Sequence, residues 1–235
     1  RRRSESPVQN GWRDTHIEVK GPVVTDLQAL FVQHWFLACG DLQKADYFPP
    51  QSKAGHQIMR VVSGDPGESE IYASLLSAIE RSERSIYLTI GYFVPDPRTV
   101  AALKAAAARG VDVRLALPGV SDFWAPVYAA RSHYADLLAA GIRVYERRDA
   151  LLHAKTAVID GVWSTVGSTN MDWRSFVHNA EANVVVLGSD FGEAMHRLFL
   201  QDIERSDEIE LGSWQRRPRS KRIKEWFARQ WEYLL

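Results

Sequence analysis

His153 and Lys155 are separated by one residue, Asp160 follows Lys155 after four more, and Gly167, Ser168 and Asn170 come soon after. The pattern reads His-x-Lys-x4-Asp, then Gly-Ser-x-Asn. It brings an imidazole, an ammonium, a hydroxyl and a carboxamide onto one strand and the loop beyond it. That collection suits a phosphodiester: one group can attack phosphorus or pass a proton, and the others can donate to phosphoryl oxygens. The plainer reading is a buried strand with an incidental His and Lys, but lysine is almost never fully buried unless paired. Zinc fits no better, since Lys is not a usual zinc ligand and no Cys cluster or His-x3-His helix accompanies the motif. The pattern occurs only once in the chain.

The elements that must position these groups follow from local pattern. Leu151 to Ile159 is apolar and β-branched, which predicts one strand with His153 and Lys155 on the same face. Asp160-Gly161 is a turn signal, and Val162 to Val166 reads as the returning strand of a hairpin. Gly167-Ser168 then lets the backbone approach a ligand, with Ser168 and Asn170 as donors. A third strand is expected over Ala182 to Leu187, just after Glu181. A carboxylate on the far ring nitrogen would fix the tautomer of His153 and raise its basicity, and Glu181 is the expected partner.

With these residues in view, the chain resembles the phospholipase D superfamily and, more narrowly, bacterial cardiolipin synthases. The resemblance rests on His153, Lys155 and Asp160, on Gly167, Ser168 and Asn170, and on Trp173-Arg174-Ser175 and His178-Asn179. Upstream, Gly91-Tyr92-Phe93-Val94-Pro95-Asp96 looks like a segment of the same family. The resemblance implies two motif copies. One His forms a phosphohistidine, the other protonates the departing alcohol, and the counterparts of Lys155, Ser168 and Asn170 hold the phosphate. It also implies a structural role for Asp160 and Gly167, and a reaction in which Lys and the donors take the electrostatic part of a metal, so neither metal nor cofactor is expected.

A weak internal repeat bears on the single copy. Leu30, Phe31 and Gln33 match Leu198, Phe199 and Gln201 at an offset of 168 residues, and Asp14 to Val19 resembles Asn179 to Val184 at an offset of 165. Each stretch reads as a strand followed by a helix. The equivalent of His153 would then lie before Arg1. The expected organisation is residues 1–40 as the last part of a first phospholipase D-like domain, 41–55 as a polar, Pro-bearing linker, 56–211 as a complete second domain, and 212–235 as a basic tail. The missing N-terminal half would supply the other motif.

Between residues 57 and 204 predicted strands and helices alternate. This argues for an α/β fold with a mixed β-sheet flanked by helices on both faces. Two loops would sit beyond the carboxyl ends of strands, one with Tyr92 and Phe93 and one with Phe123 and Trp124. They could line a channel for acyl chain or glycerol, or pack under helices. The tail has Arg216, Arg217, Arg219, Lys221, Arg222 and Lys224, then Trp226, Phe227 and Trp231. Such a helix could lie on an anionic membrane surface or dock on protein.

The 235 residues are 46% hydrophobic, enough for a real core, and formally neutral, so no global field draws nucleic acid. The leading expectation, from the resemblance, is phosphatidyl transfer between phosphatidylglycerol molecules at a bacterial inner membrane, peripheral on the cytoplasmic side or anchored through the absent N-terminus. The alternatives are phospholipase D or nuclease hydrolysis, with water as acceptor, and an inactive lipid-binding fragment.

Overall fold

A computed structural model describes residues 11–42, 45–121 and 123–230. The elements in chain order are β1 (Trp12–Arg13), α1 (Val23–Cys39), β2 (Ile58–Asp65), β3 (Glu68–Ser69), α2 (Glu70–Arg81), β4 (Ser85–Ile90), α3 (Pro97–Ala108), β5 (Asp112–Pro118), α4 (Trp124–Ala139), β6 (Arg143–Arg147), β7 (Leu151–Leu152), β8 (Lys155–Ile159), β9 (Trp163–Gly167), α5 (Trp173–Val177), β10 (Glu181–Leu187), α6 (Ser189–Glu204), β11 (Ser206–Ile209), α7 (Leu211–Gln215) and α8 (Arg219–Gln230). Among the described residues the main sheet has nine strands in the order β11-β6-β5-β4-β8-β9-β10-β2-β3. β4, β5 and β6 run parallel, and β4 pairs antiparallel with β8. The fold is therefore the expected mixed α/β sheet.

Helices cover both faces because the central strands are apolar on both sides, as strands buried between layers must be. Ile86, Leu88 and Ile90 of β4, with Leu115 of β5 and Ala157 and Ile159 of β8, face Leu76 and Ile79 of α2, Leu103 of α3 and Tyr134 and Leu137 of α4. The alternate residues of β8 and β9, Val158 and Val166, meet Met195 of α6 on the opposite face. Asp96 caps α3, its carboxylate accepting from the Arg98 and Thr99 N–H groups, and Pro97 opens the helix with its φ already suitable.

The predicted hairpin is present. Asp160 and Gly161 both have positive φ, 55° and 69°, as the two central residues of a primed turn require, and the Val162 N–H closes it on the Ile159 carbonyl at 3.2 Å; β9 begins one residue later than expected, with Trp163 opposite Ile159. The expected single strand over 151–159 is instead broken at His153-Ala154. β7 pairs parallel with β1, whereas β8 pairs with β4 and β9. Changing partner between two sheets breaks the strand, and His153 stands at the break. Residues 14–19, expected as a strand, join no ladder. They cross the α6 face, where Ile17 packs beside Val158 and Val166. The linker expected at 41–55 contains no helix or strand in its described residues.

Asp160 ties the hairpin to the loop before β4. Its carboxylate accepts from the N–H groups of Glu83 (3.0 Å), Arg84 (2.7 Å) and Ser85 (2.9 Å). Partial burial pushes its pKa up, but these three donors and Arg84 outweigh that and hold it below 3.8. The stability this contributes is present above the unfolded pKa and is lost as pH falls through the folded one. Asp160→Ala is expected to destabilise the domain by about 2 kcal/mol, modest for three bonds because the turn is partly solvated. Urea unfolding at neutral pH measures this, and an unchanged midpoint would contradict the role.

Candidate active site

The site forms where β8 begins and β4 ends. Ile90 pairs with Lys155, so the residue after β4, Gly91, lies against the motif. A Cβ on Gly91 would sit 3.2 Å from Lys155 Nζ, 3.3 Å from His153 Cα and 3.4 Å from Asn170 Oδ1. Three motif residues thus converge on a backbone where any side chain would crowd its neighbours. Asn170 Oδ1 accepts from the Tyr92 N–H at 3.1 Å. With its oxygen engaged there, Nδ2 is left to donate.

Lys155 is buried, at 6% exposure. Its ammonium donates to the His153 carbonyl at 2.5 Å, and among the described residues no carboxylate is in contact with it. Burial pushes its amine below the ordinary 10.5, against the more distant pull of Asp14, Glu181 and Asp172. A dry, positively charged group without a carboxylate in contact is poised for an anion.

The imidazole of His153 is half-exposed, and its Nδ1 lies 2.9 Å from Asp14 Oδ2. Asp14 is itself oriented: Thr15 N–H donates to its Oδ1 at 2.8 Å. Partial burial pushes the Asp14 carboxyl up, but the hydrogen bonds from His153 and Thr15 hold it below 3.8. An ionised Asp14 accepts the Nδ1 proton and leaves the lone pair on Nε2, which has no hydrogen-bond partner among the described residues and is able to attack or to take a proton. The Trp12 indole meets the imidazole edge-on at 4.9 Å and limits its rotation.

This corrects the expected pairing of His153 with Glu181. Glu181 opens β10, two strands from β8, and its carboxylate accepts from Ser168 Oγ and from Asn179 Nδ2 (3.2 Å). Asp14 reaches His153 instead because β1 pairs with β7 and delivers the chain beside it: His153 N–H donates to the Arg13 carbonyl at 2.8 Å. Arg13 is anchored in turn, its Nε and Nη2 each donating at 2.8 Å to the buried Asp202 of α6.

The Gly-Ser-x-Asn loop is stitched down by a residue that the motif does not contain. Asn183 of β10 accepts from Thr169 Oγ1 at 2.9 Å and donates to Thr165 Oγ1 at 3.2 Å. A Cβ on Gly167 would lie 2.0 Å from Asn183 Oδ1, so glycine is required there. Asp172 caps α5 through the Ser175 N–H at 2.7 Å, and burial raises its pKa.

The loop residues divide. Tyr92 is half-buried beside the site. Phe93 is 1% exposed in the main core, where it bridges to Met171, and so lines no channel. Phe123 and Trp124 are exposed, and Trp124 faces Tyr128 and the tail helix rather than His153. Sequence reasoning placed Gly91 in a family-like segment without a role at the site, missed Asn183 and Asp172 as site residues, and gave Asp14 no chemical role. The repeat held a partial signal: Asp14 opens the polar triplet before α1, as Asn179 opens the triplet before α6 that ends at Glu181. Among the described residues no group of three or more His, Cys, Asp or Glu is placed to hold a metal ion.

The fold is that of phospholipase D-like proteins. Over 66% of this chain and 99% of the other it superposes on Nuc of Salmonella typhimurium, a phospholipase D family member, with TM-score 0.57 and 23% identity. A phosphatidylserine synthase of Haemophilus influenzae covers 75% of this chain, with TM-score 0.59 and 12% identity, over 48% of its own length. Residues 75–203 match the family described as "Cardiolipin synthase, PLD-like domain", and the chain belongs to that family. It is 37% identical over 223 residues to a cardiolipin synthase of Geobacillus kaustophilus, and 34% identical over 229 residues to a probable cardiolipin synthase of Bacillus subtilis. These alignments cover 93% and 96% of this chain but 44% and 46% of the relatives.

The unpaired buried ammonium has a measurable consequence. Lys155→Met keeps the stem and removes the charge, and it is expected to leave the protein as stable as wild type or about 1 kcal/mol more so. The folded pKa lies below the unfolded 10.5, so the burial penalty acts fully below the folded pKa. It fades as pH rises towards 10.5, and the difference between variant and wild type should shrink over that range. Urea unfolding across this range tests it. A strongly destabilised Lys155→Met at neutral pH would show that the charge is paired after all.

Proposed function

We propose that this chain supplies one half of a two-motif active site that transfers a phosphatidyl group between phosphatidylglycerol molecules, making cardiolipin and glycerol. The observation that carries the reading is His153 with Nδ1 held by Asp14, and the buried Lys155 ammonium bonded to the His153 carbonyl. Family membership supports the lipid substrate class, and relatives named cardiolipin synthase support the transfer.

The reaction is two displacements at one phosphorus. The Nε2 of one histidine attacks the phosphorus of phosphatidylglycerol, forming an N–P bond as the P–O bond to glycerol breaks. The histidine of the other motif gives its proton to the departing glycerol. A hydroxyl of a second phosphatidylglycerol then attacks, losing its proton to that same histidine, and the N–P bond breaks. His153 is equipped for either part. Lys155 and Asn170 Nδ2 stabilise the charge that builds on the equatorial oxygens, and Ser168 joins them when its hydroxyl turns from Glu181 to the phosphate.

Two features favour a second motif in a partner half. The chain spans less than half the length of the curated relatives it matches. Asp14, ahead of α1, serves the histidine of the following motif. By pseudo-two-fold symmetry Glu181, ahead of α6, is then offered to the histidine of the other motif. This gives Glu181 a reason to stand away from His153. We place the complete enzyme at the inner membrane. No described helix is long and apolar enough to cross a membrane.

In the complete protein, cardiolipin formation from phosphatidylglycerol is expected to withstand EDTA and to fall by roughly a thousandfold or more in His153→Ala. Asp14→Asn is expected to lower it by about ten- to a hundredfold. Mass analysis of the lipid products reads all three. Full activity in His153→Ala would sink the assignment, and phosphatidic acid as the main product would make the enzyme a hydrolase.

A further inference from the structure

The tail helix α8 docks on α4 by a narrow face. Ala228 packs against Ala129 and Val94, and the buried Glu225 pairs with Arg217. The other described side chains of the helix, from Arg222 to Gln230, face solvent. Trp226 and Phe227 are 57% and 55% exposed, stacked edge-on, and Ile223 is 56% exposed. Across the junction stands Trp124 at 60%, so that Trp124, Tyr128, Phe227 and Lys224 frame an open groove of about 500 Å³. Four such exposed apolar side chains in one surface region need an occupant.

Charge decides which one. The sequence of α8 has Arg219, Lys221, Arg222, Lys224 and Arg229 against one acid, Glu225, and that acid is buried in an ion pair. The cores of protein interfaces are depleted in lysine, and an unbalanced run of cations finds its counter-charge more readily on anionic headgroups. Here exposed Arg222, Lys224 and Arg229 alternate with Ile223, Trp226 and Phe227, the pattern of a helix lying in an anionic lipid interface. Position agrees. β4 and β5 are parallel, so the Gly91 turn after β4 and the Phe123-Trp124 loop after β5 leave the same edge of the sheet. Val94, three residues beyond Gly91, is itself part of the α8 dock.

We propose that the surface formed by Trp124, Ile223, Lys224, Trp226 and Phe227 seats the domain on an anionic phospholipid bilayer, with the active-site edge turned towards the headgroups. The inference rests on the lipid-substrate reading but is tested apart from it. The 235-residue chain is floated with vesicles of phosphatidylglycerol and phosphatidylcholine in equal parts, and with phosphatidylcholine alone. Preference for the anionic vesicles is expected, with quenching of tryptophan fluorescence by brominated lipid. Trp226→Ser with Phe227→Ser, and separately Lys224→Glu, are each expected to weaken binding by about tenfold while thermal unfolding is unchanged. In the complete protein these variants are expected to lose turnover on vesicles but keep it in detergent micelles, and His153→Ala is expected to bind vesicles like wild type. Patch variants that float like wild type would overturn the proposal. So would variants whose vesicle binding is intact but whose sedimentation shows a lost self-association, which would make the patch a contact between copies. Retained turnover in His153→Ala would instead defeat the catalytic reading and leave the flotation result standing.

Discussion

The site depends on keeping the Lys155 ammonium dry without placing a carboxylate against it. Taking such a charge out of water costs several kcal/mol even after relaxation. The fold meets the cost with a short bond to the His153 carbonyl and the longer-range field of Asp14, Glu181 and Asp172. Gly91 lets the β4 turn close over Nζ, where a Cβ would lie 3.2 Å away. The positive potential is therefore built in before any ligand arrives, which is what stabilising a charge that appears only during reaction requires.

The second constraint is the tether that brings Asp14 to His153. Two β1 residues paired with β7 would hold a chain segment only weakly. A buried ion network reinforces them: Arg13 grips Asp202 with two donors, and Arg147 Nη1 reaches the same carboxylate at 2.5 Å. Asp202 lies on α6 and Arg147 ends β6, so the network ties the N-terminal segment to both the helical layer and the sheet. Breaking one member would strand a buried charge, which fixes the register of Arg13 and hence the position of Asp14.

Much of the fold was legible because local pattern and tertiary role agreed. The alternating strands and helices, the Asp160-Gly161 turn, and the Gly-Ser-x-Asn loop all follow from rules that act within a few residues. What was not legible depends on distant partners. The break at His153 arises because β7 pairs with a segment some 140 residues earlier in the chain. Asp14 and Glu181 are both plausible carboxylates by residue type, and only topology says which reaches the imidazole. Phe93 looked like a ligand-facing aromatic because its loop follows a strand, yet the chain turns it inward to Met171. Asn183 was invisible in another way: a polar residue within an apolar strand is unremarkable until Gly167 and Thr169 are placed against it.

The motif spacing itself has a physical meaning. Lys155 is the first residue of β8 and Asp160 the first beyond its end, so the four residues between them set the length of one strand, roughly 16 Å from Lys155 to Asp160. The chemical groups stand at one end and the folding group at the other. At its end Asp160 fixes the loop before β4 through three N–H groups, and at the other end β4 delivers Gly91 to Lys155. β4 and β8 pair residue for residue between these points, from Ile86 with Ile159 to Ile90 with Lys155. A one-residue slip would turn Lys155 to the opposite face and carry Gly91 away from it. Asp160 therefore sets the register of the site from the far end of the strand, without touching the chemistry.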